Sequence, residues 1–373
     1  MPIGIGEIVF GAFVVTTLVQ LFYYLGIFSR FAFRHEKDFT AAGKQDPVSV
    51  VVCAKNEAQN LQKNIPLYFS QNYPDFQVVV VNDCSVDESE DILDEFEKKY
   101  PNLHVVTLKE DEIREHDKKL ALTLGIKGAK HELLLLTDAD CVPSGENWIS
   151  TMVRNFDEKT EIVLGFGAFK KSDGLLNKLI RFDAFFVALQ YLSYSLAKNT
   201  YMGVGRNLAY RKSLFFKNKG FASHYHIQSG DDDLFINRAA SKTNTQIEFN
   251  PESFTYSEPK KTFRNWVLQK RRHITTAKYY KATHKFLLGA FSMSTVLFYC
   301  IFIALIILQF QFYLVLSVFI SRMLAQMIIF RKSMVKLGQK DLWWLAFVYE
   351  ILLMLFYPFI FVSNIFVKKH KWK

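Results

Sequence analysis

The sequence predicts an α/β domain of the nucleotide-binding kind, framed at both ends by membrane helices. Three observations predict it. Apolar residues pile up before Arg30 and after Phe286, while the middle reads like a soluble protein. Through about residues 46–285, short β-rich runs alternate with helix-like stretches, the order of a sheet covered by helices. Acidic and amide residues fall where three of those runs end, and open α/β sheets bind ligands at the carboxyl ends of their strands.

The first and second strands read as Val48–Ala54 and Val78–Val81. Both are continuous apolar runs, which suit strands buried on both faces of a parallel sheet. Glu57–Ser70 between them reads as a helix. Asp87–Lys99 is a charged amphipathic helix stopped by Pro101, and Leu103–Leu108 is a third strand. Lys118–Lys130 reads as a helix and Leu133–Thr137 as a fourth strand. Leu175–Leu196 is rich in Phe, Leu and Tyr but is interrupted by Arg181 and Asp183. It reads as an amphipathic helix able to lie on a membrane surface. The plainer alternative is a core helix of the domain.

The flanks read as membrane segments. Ile8–Phe28 is an apolar run of roughly 21 residues, enough to cross a bilayer. Arg30, Arg34, His35 and Lys37 follow it, so the positive-inside rule puts the next domain in the cytosol. Phe286–Leu308, Phe312–Phe330 and Leu342–Val367 are three further candidate spans. The expected organisation is an N-terminal transmembrane helix (1–30), a cytoplasmic domain (46–285) and C-terminal membrane helices (286–367). Such a chain is a multi-pass protein of the cell (inner) membrane.

The basic segment Arg331–Lys340 should be cytoplasmic. A crossing fourth span would then leave the basic tail Lys368–Lys373 outside, against the positive-inside rule. Either the tail is tolerated there, or Leu342–Val367 does not fully cross and Pro358 breaks it. Arg322 and Gln326 share one face of the third span and Glu350 sits in the fourth. Charges at such depth are costly and usually paired, so Arg322 and Glu350 are expected to face each other or the acceptor path. The alternative is that one of them snorkels.

Half of the 373 residues are hydrophobic, with 36 Phe and 17 Tyr, which leaves room for one soluble domain plus several spans. The net charge of +10 suits a face that meets anionic lipid. The basic residues are not gathered into a recognisable nucleic-acid motif, and no nucleic-acid partner is expected. Cys53, Cys84, Cys141 and Cys300 show no metal-ligand spacing and read as reduced thiols.

The polar residues carry the functional reading. Asn56 and Glu57 follow the first strand, Asp83 the second, and Asp138 and Asp140 the fourth. Gathered acids repel one another, so a fold has no structural need for them. A divalent cation and a network of sugar hydroxyls would account for them. Asp138-Ala139-Asp140 places two carboxylates at i and i+2, a pair able to hold Mn2+ or Mg2+ against a diphosphate. Asp83 could accept hydrogen bonds from a base or ribose, whereas Asp87 reads as a helix N-cap. Lys118 could contact phosphate, or simply start a solvated helix.

Gly230-Asp231-Asp232-Asp233-Leu234 is either a solvated acidic turn or the seat of a general base. Gly203-Val204-Gly205-Arg206-Asn207 lets backbone approach a ligand closely. Gln269-Lys270-Arg271-Arg272-His273 precedes the second span. It is drawn to lipid headgroups, or else Arg271 or Arg272 clamps a diphosphate.

Together these residues resemble glycosyltransferase family 2, the GT-A fold group that includes hyaluronan, chitin and cellulose synthases. The resemblance covers about Pro47 to Lys281. Val50 to Glu57 looks like the opening strand with its Asn-Glu, and Asn82 to Asp87 like the family's Asp-Asp-Gly-Ser-x-Asp. Lys118 to Leu122 looks like its Lys-x-x-Ala-Leu. Asp138-Ala139-Asp140 is similar to the metal motif, and Gly230-Asp231-Asp232 to the motif that ends in the catalytic base. Gln269 to His273 is similar to Gln-x-x-Arg-Trp, with His273 where Trp is usual; the full motif is associated with processive members.

The resemblance implies a GT-A nucleotide-sugar domain and an inverting, metal-dependent transfer from a UDP-sugar to a membrane-proximal lipid or saccharide. It makes Asp232 the base and puts Mn2+ or Mg2+ on Asp140 with Asp138. Nucleotide-sugar contacts fall to Ala54, Asn56, Glu57, Asp83, Lys118, Asp138, Gln269, Arg271 and Arg272. The acceptor region falls to Gly203, Gly205, Asn207 and Asp231. The rival readings are a catalytically inactive membrane scaffold, a transporter-like protein with a nucleotide-binding domain, and a nucleotidyltransferase.

Overall fold

A computed structural model describes residues 4–36, 45–109, 118–227 and 229–366. Lys37 and the tail Lys368–Lys373 lie outside the described residues. The chain enters through α1 (Ile5–Leu21), a π-helical turn (Phe22–Phe28) and α2 (Ser29–Ala32). Tyr23, Tyr24, Ile27 and Phe28 of the π turn are buried against later helices, with Tyr23, Tyr24 and Phe28 all packed on Phe291.

The domain's centre is built by β1 (Val48–Ala54), β2 (Phe76–Asp83), β3 (Leu103–Leu108) and β4 (Leu133–Asp138), all parallel, in the order β3-β2-β1-β4. The crossovers are α3 (Ala58–Phe69), α4 (Ser89–Lys99) and α5 (Lys118–Gly128). Alternate side chains of each strand enter opposite layers. Val50, Val52 and Leu135 pack with Leu61 and Leu93 of α3 and α4. Val51, Leu134 and Leu136 pack with Leu122 and Ile126 of α5. That two-sided burial is why these strands read as unbroken apolar runs.

Beyond β4 the chain forms β5 (Cys141–Pro143), α6 (Trp148–Val153), β6 (Ile162–Leu164), β7 (Gly167–Phe169) and α7 (Leu175–Leu196). Then come β8 (Leu208–Arg211), α8 (Lys212–Lys217), α9 (Asp233–Ala239), β9 (Thr245–Ile247) and β10 (Thr255–Ser257). Strand β8 pairs antiparallel with β4 and β6, and β6 carries β9, giving a mixed seven-stranded sheet. A small second sheet has the order β5-β10-β7.

Helix α7 is a core helix, not an amphipathic helix on a membrane surface. It is buried along most of its length, between the domain and the apolar helices. Arg181 and Asp183 are spent on bridges. Arg181 bonds both carboxylate oxygens of Asp341, at 2.7 and 2.9 Å, and Asp183 meets Lys270 and Tyr357.

The C-terminal part comprises α10 (Phe263–Ile274), α11 (Ala282–Ile307), α12 (Phe312–Lys336), a 3-10 turn (Lys340–Leu345) and α13 (Ala346–Phe366). Among the described residues, four helical segments are long and apolar enough to cross a membrane. Helix α12 runs on through residues 331–336, into the basic segment that the sequence expects to be cytoplasmic. Pro358 lies inside α13 and does not end it.

Arg322 and Glu350 face each other at 3.0 Å, both buried, which excludes snorkelling by either. Tyr24 and Tyr299 donate to Glu350 at 2.9 and 2.7 Å, and Arg322 donates to Gln20 at 2.9 Å. Gln20 in turn donates to Ser294 and Thr295 at 2.6 and 3.1 Å. One polar knot thus joins α1, α11, α12 and α13, with every charge matched.

Candidate active site

The carboxyl ends of β1, β2 and β4 lie side by side, so the turns that follow them share one edge. Asn56 and Cys84 hold the left-handed backbone at the first two turns, with φ of 55° and 54°. The turns are stitched together. Ser85 accepts from the Asn56 amide at 2.9 Å, and the Asn56 side chain accepts from the Val86 amide at 2.9 Å. Asp87 sits one residue before Glu88, the N-cap of α4, and accepts from the Ser89 amide and from Ala58 at the start of α3, so it joins the two helix starts rather than capping α4 alone.

The turn after β4 is held from below. Asn64 donates to the Ala139 carbonyl and Tyr68 to the Cys141 carbonyl, both at 2.8 Å. This fixes Asp138 and Asp140. Sequence reading passed over Asn64 and Tyr68; two polar residues at i and i+4 on a buried helix face are the signal they left.

Asp138, Asp140 and Cys141 bring their ligand atoms within 4.8 Å of one another. Two carboxylates suit a hard divalent cation, which takes oxygen ligands. Burial, then the Asp138 charge, pushes the Asp140 carboxyl above its ordinary range, opposed by Arg206 and the Cys141 thiol. A bound cation would relieve the burial and charge that raise Asp140, so these residues fit Mn2+ or Mg2+.

Lys118, at the start of α5, bonds Asp138 at 2.8 Å and Asp231 at 3.0 Å. Burial disfavours its charge, but the nearby carboxylates of Asp138, Asp231 and Asp232 outweigh that and hold the ammonium protonated. It therefore links the β4 acids to the late acidic cluster.

In that cluster Gly230 has φ of 104°, a conformation glycine adopts freely, and a Cβ there would meet Leu234 at 2.5 Å. The three aspartates that follow have separate surroundings. Burial would raise Asp231, but the Lys118 charge and hydrogen bond bring it below the ordinary carboxylate value. Asp232 accepts from the Gly205 and Asp233 amides, each at 2.7 Å. Burial and the charges of Asp231 and Asp233 push Asp232 up to about 7. Asp233 is buried and accepts from Thr276 and Tyr280, which lie between α10 and α11. The cluster is thus no solvated turn.

One cavity of about 860 Å³ collects Glu57, Lys118, Asp138, Asp140, Gly205, Arg206 and the three aspartates, with Gln269, Arg272 and His273 from α10. Arg206 is anchored over the Phe169 ring at 4.2 Å and donates to Ser257 at 3.1 Å, a cation the sequence reading left unassigned. Other expected residues lie off the cavity. Ala54 and Asp83 are buried at the ends of β1 and β2, and Asn56 is exposed in the turn after β1. Gly203 gives packing room, since a Cβ there would meet Leu208, Ile236 and Leu164 at 3.0–3.2 Å. Asn207 is fully buried, donates to the Phe166 and Ser253 carbonyls and accepts from Trp148, so it shapes the loop without lining the cavity. Arg271 turns away to the Ser363 carbonyl at 3.4 Å.

The family comparison agrees with this geometry. The sequence profile of Glycosyl transferase family group 2 matches residues 138–361, and that of Glycosyl transferase family 2 matches residues 49–217. The chain belongs to glycosyltransferase family 2. Among curated relatives, this chain is 26% identical over 235 residues to the probable glycosyltransferase YdaM of Bacillus subtilis, covering 60% of this chain and 54% of that one. It is 35% identical over 104 residues to glycosyltransferase AglE of Haloferax volcanii, covering 27% of this chain and 33% of that one. The chain therefore spans between a third and about half of these relatives' lengths. Its fold is shared by the mannosyltransferase PcManGT from Pyrobaculum calidifontis, solved in complex with GDP-Man and Mn2+. That match has a TM-score of 0.59 at 16% identity and covers 93% of this chain and 98% of the other. The GT-A fold expected from sequence is the fold found.

Proposed function

We propose that this glycosyltransferase moves a sugar with inversion from a nucleoside-diphosphate sugar, a UDP-sugar by its sequence resemblance, to a hydroxyl of a membrane-proximal lipid or saccharide. The observation that carries the reading is Asp232, seated in the same cavity as Asp138 and Asp140 and pushed up to about 7. A base so poised accepts a proton near neutral pH.

Asp140 and Asp138 would hold Mn2+ or Mg2+, which when bound supplies positive charge against the donor's diphosphate. Lys118 and Arg206 add fixed cations, and Gln269 and Arg272 face the cavity from α10. Asp232 takes the proton of the acceptor hydroxyl as its oxygen bonds to the anomeric carbon. The bond from that carbon to the diphosphate oxygen breaks, and the nucleoside diphosphate leaves with the electron pair. Catalysis of this kind is mostly placement and charge stabilisation.

We place the protein in the cell membrane with its catalytic domain in the cytoplasm. Support comes from Arg30 and Arg34 at one helix end and Lys332 and Lys336 at another, where Lys336 donates to the Arg34 carbonyl at 2.6 Å.

The test is nucleoside-diphosphate release by detergent-purified protein across UDP- and GDP-sugars, with Mn2+ or Mg2+. Release should depend on the metal and on one donor, and should be lost in Asp140→Ala and Asp232→Asn. Silence of folded wild-type protein with every donor would overturn the reading.

A further inference from the structure

The cavity that holds the aspartates does not end with them. It continues past Tyr280 and His273 into the apolar helices, lined by Phe291 and Ser292 of α11 and by Met354, Tyr357 and Phe361 of α13. Its character changes on the way. Carboxylates and cations line the catalytic end, while the other is mostly aliphatic and aromatic; of the polar side chains there, Thr295 and Glu350 are already bonded to Gln20 and Arg322, and Ser292 bonds its own helix. Ser292, Pro358 and Phe361 line it and are also exposed, so this end reaches the protein surface between α11 and α13. That surface lies on segments apolar enough to sit in a bilayer.

The neighbouring helices are closed against one another. Gln20 clasps α1 to α11 through Ser294 and Thr295, and Arg322 bonds Glu350. The way out of the cavity is therefore sideways, between α11 and α13. A sugar chain would need polar partners along such a path, because an unpaired buried hydroxyl is costly. A hydrocarbon chain needs none and gains by contact with these walls.

We infer that the acceptor is an amphiphile whose hydroxyl-bearing headgroup sits at Asp232 while its hydrocarbon chain leaves between α11 and α13. This rests on the glycosyl-transfer reading for the headgroup, and on the cavity walls alone for the chain. Ser292 stands at the mouth, where a large side chain closes the gap with little strain on the buried core.

The test uses the full chain in nanodiscs of phosphatidylcholine and phosphatidylglycerol, with dodecyl β-glucoside carrying a diazirine at the end of its alkyl chain. Illumination should place adducts on residues 287–297 and 350–361. Unlabelled dodecyl β-glucoside should compete and methyl β-glucoside should not. Ser292→Trp should cut the adducts roughly tenfold, the loss expected when a few methylenes are expelled from an apolar site. Leu355→Trp, at an exposed position off the cavity, should leave them unchanged. Adducts spread over the outer faces of α1 and α12, or indifferent to Ser292→Trp, would overturn the inference. Donor hydrolysis is measured in the same samples. Hydrolysis with no localised adducts sinks the lipid path alone; localised adducts with no hydrolysis sink the transferase reading and leave the chain site standing.

Discussion

The ammonium group of Lys118 sits 2.8 Å from the Asp138 carboxylate, and it reaches Asp231 at 3.0 Å with the same nitrogen. One cation thus joins the acids proposed to hold the metal to those beside the proposed base. Lys118→Met would leave both carboxylates facing other acids. Turnover should fall by about 10²-fold, the scale for removing one preorganised donor from a charged site. Removing Asp231 as well relieves part of the repulsion. The double variant Lys118→Met with Asp231→Asn should therefore lose less than the two single losses combined. A double-mutant cycle on nucleoside-diphosphate release checks this; strictly additive losses would mean the contact is incidental.

Asp232 acts as a base only when ionised. Burial, with Asp231 and Asp233 beside it, pushes its carboxyl up to about 7. kcat/KM should therefore rise with pH, level off above about 7 and fall away below it. Asp232→Asn should flatten that limb and lower the rate by about 10²- to 10⁴-fold, the usual contribution of a general base. The check is a pH–rate profile at saturating metal. A wild-type limb that persists in the Asn variant assigns the titration to another group.

Much of this site was legible because strand ends are readable. Continuous runs such as Val48–Ala54 mark strands buried on both faces, and whatever polar residue follows must sit at the sheet's edge. Glu57, Asp138 and Asp140 were found that way. Asn207 and Arg271 read as ligand contacts because their types suit that work. Their true partners are a buried Trp148 and the end of α13, contacts far apart in sequence that no local pattern announces. Leu175–Leu196 misled for a related reason. Arg181 and Asp183 resemble a solvated stripe until Asp341 and Lys270 are seen to neutralise them.

The Arg322–Glu350 pair is a stability element by the same reasoning. Each residue is almost wholly buried, so removing one partner strands the other without its countercharge. Glu350→Gln should cost about 3–5 kcal/mol, the usual penalty for breaking a buried pair. It should appear as a lower melting temperature and a smaller folded yield in detergent. Replacing both by apolar residues, Arg322→Met with Glu350→Leu, should recover much of the loss because no charge is left unmatched. If Glu350→Gln leaves yield and activity untouched, the pair does not hold the helices together.

The arrangement of α13 bears on where the chain ends. Its beginning is tied to the catalytic domain through Asp341 on Arg181. At its midpoint Phe356 stacks on Trp266 of α10 with ring centroids 4.3 Å apart, and nearer its far end the Ser363 carbonyl accepts from Arg271 of the same helix. Between these points, Tyr357 donates to Asp183 of α7. Helix α10 supplies Gln269 and Arg272 to the catalytic cavity, so it belongs on the catalytic side. These contacts tie α13 to the catalytic side along its length, which predicts that it does not cross. The prediction is therefore a cytoplasmic basic tail, as the positive-inside rule prefers, with three of the four apolar helices described here spanning the bilayer. A cysteine appended after Lys373 in an otherwise cysteine-free chain should resist an impermeant maleimide in intact cells and react after permeabilisation. Labelling in intact cells, with a cysteine placed in the catalytic domain still protected, would show that α13 crosses and that its contacts with α7 and α10 do not hold in the membrane.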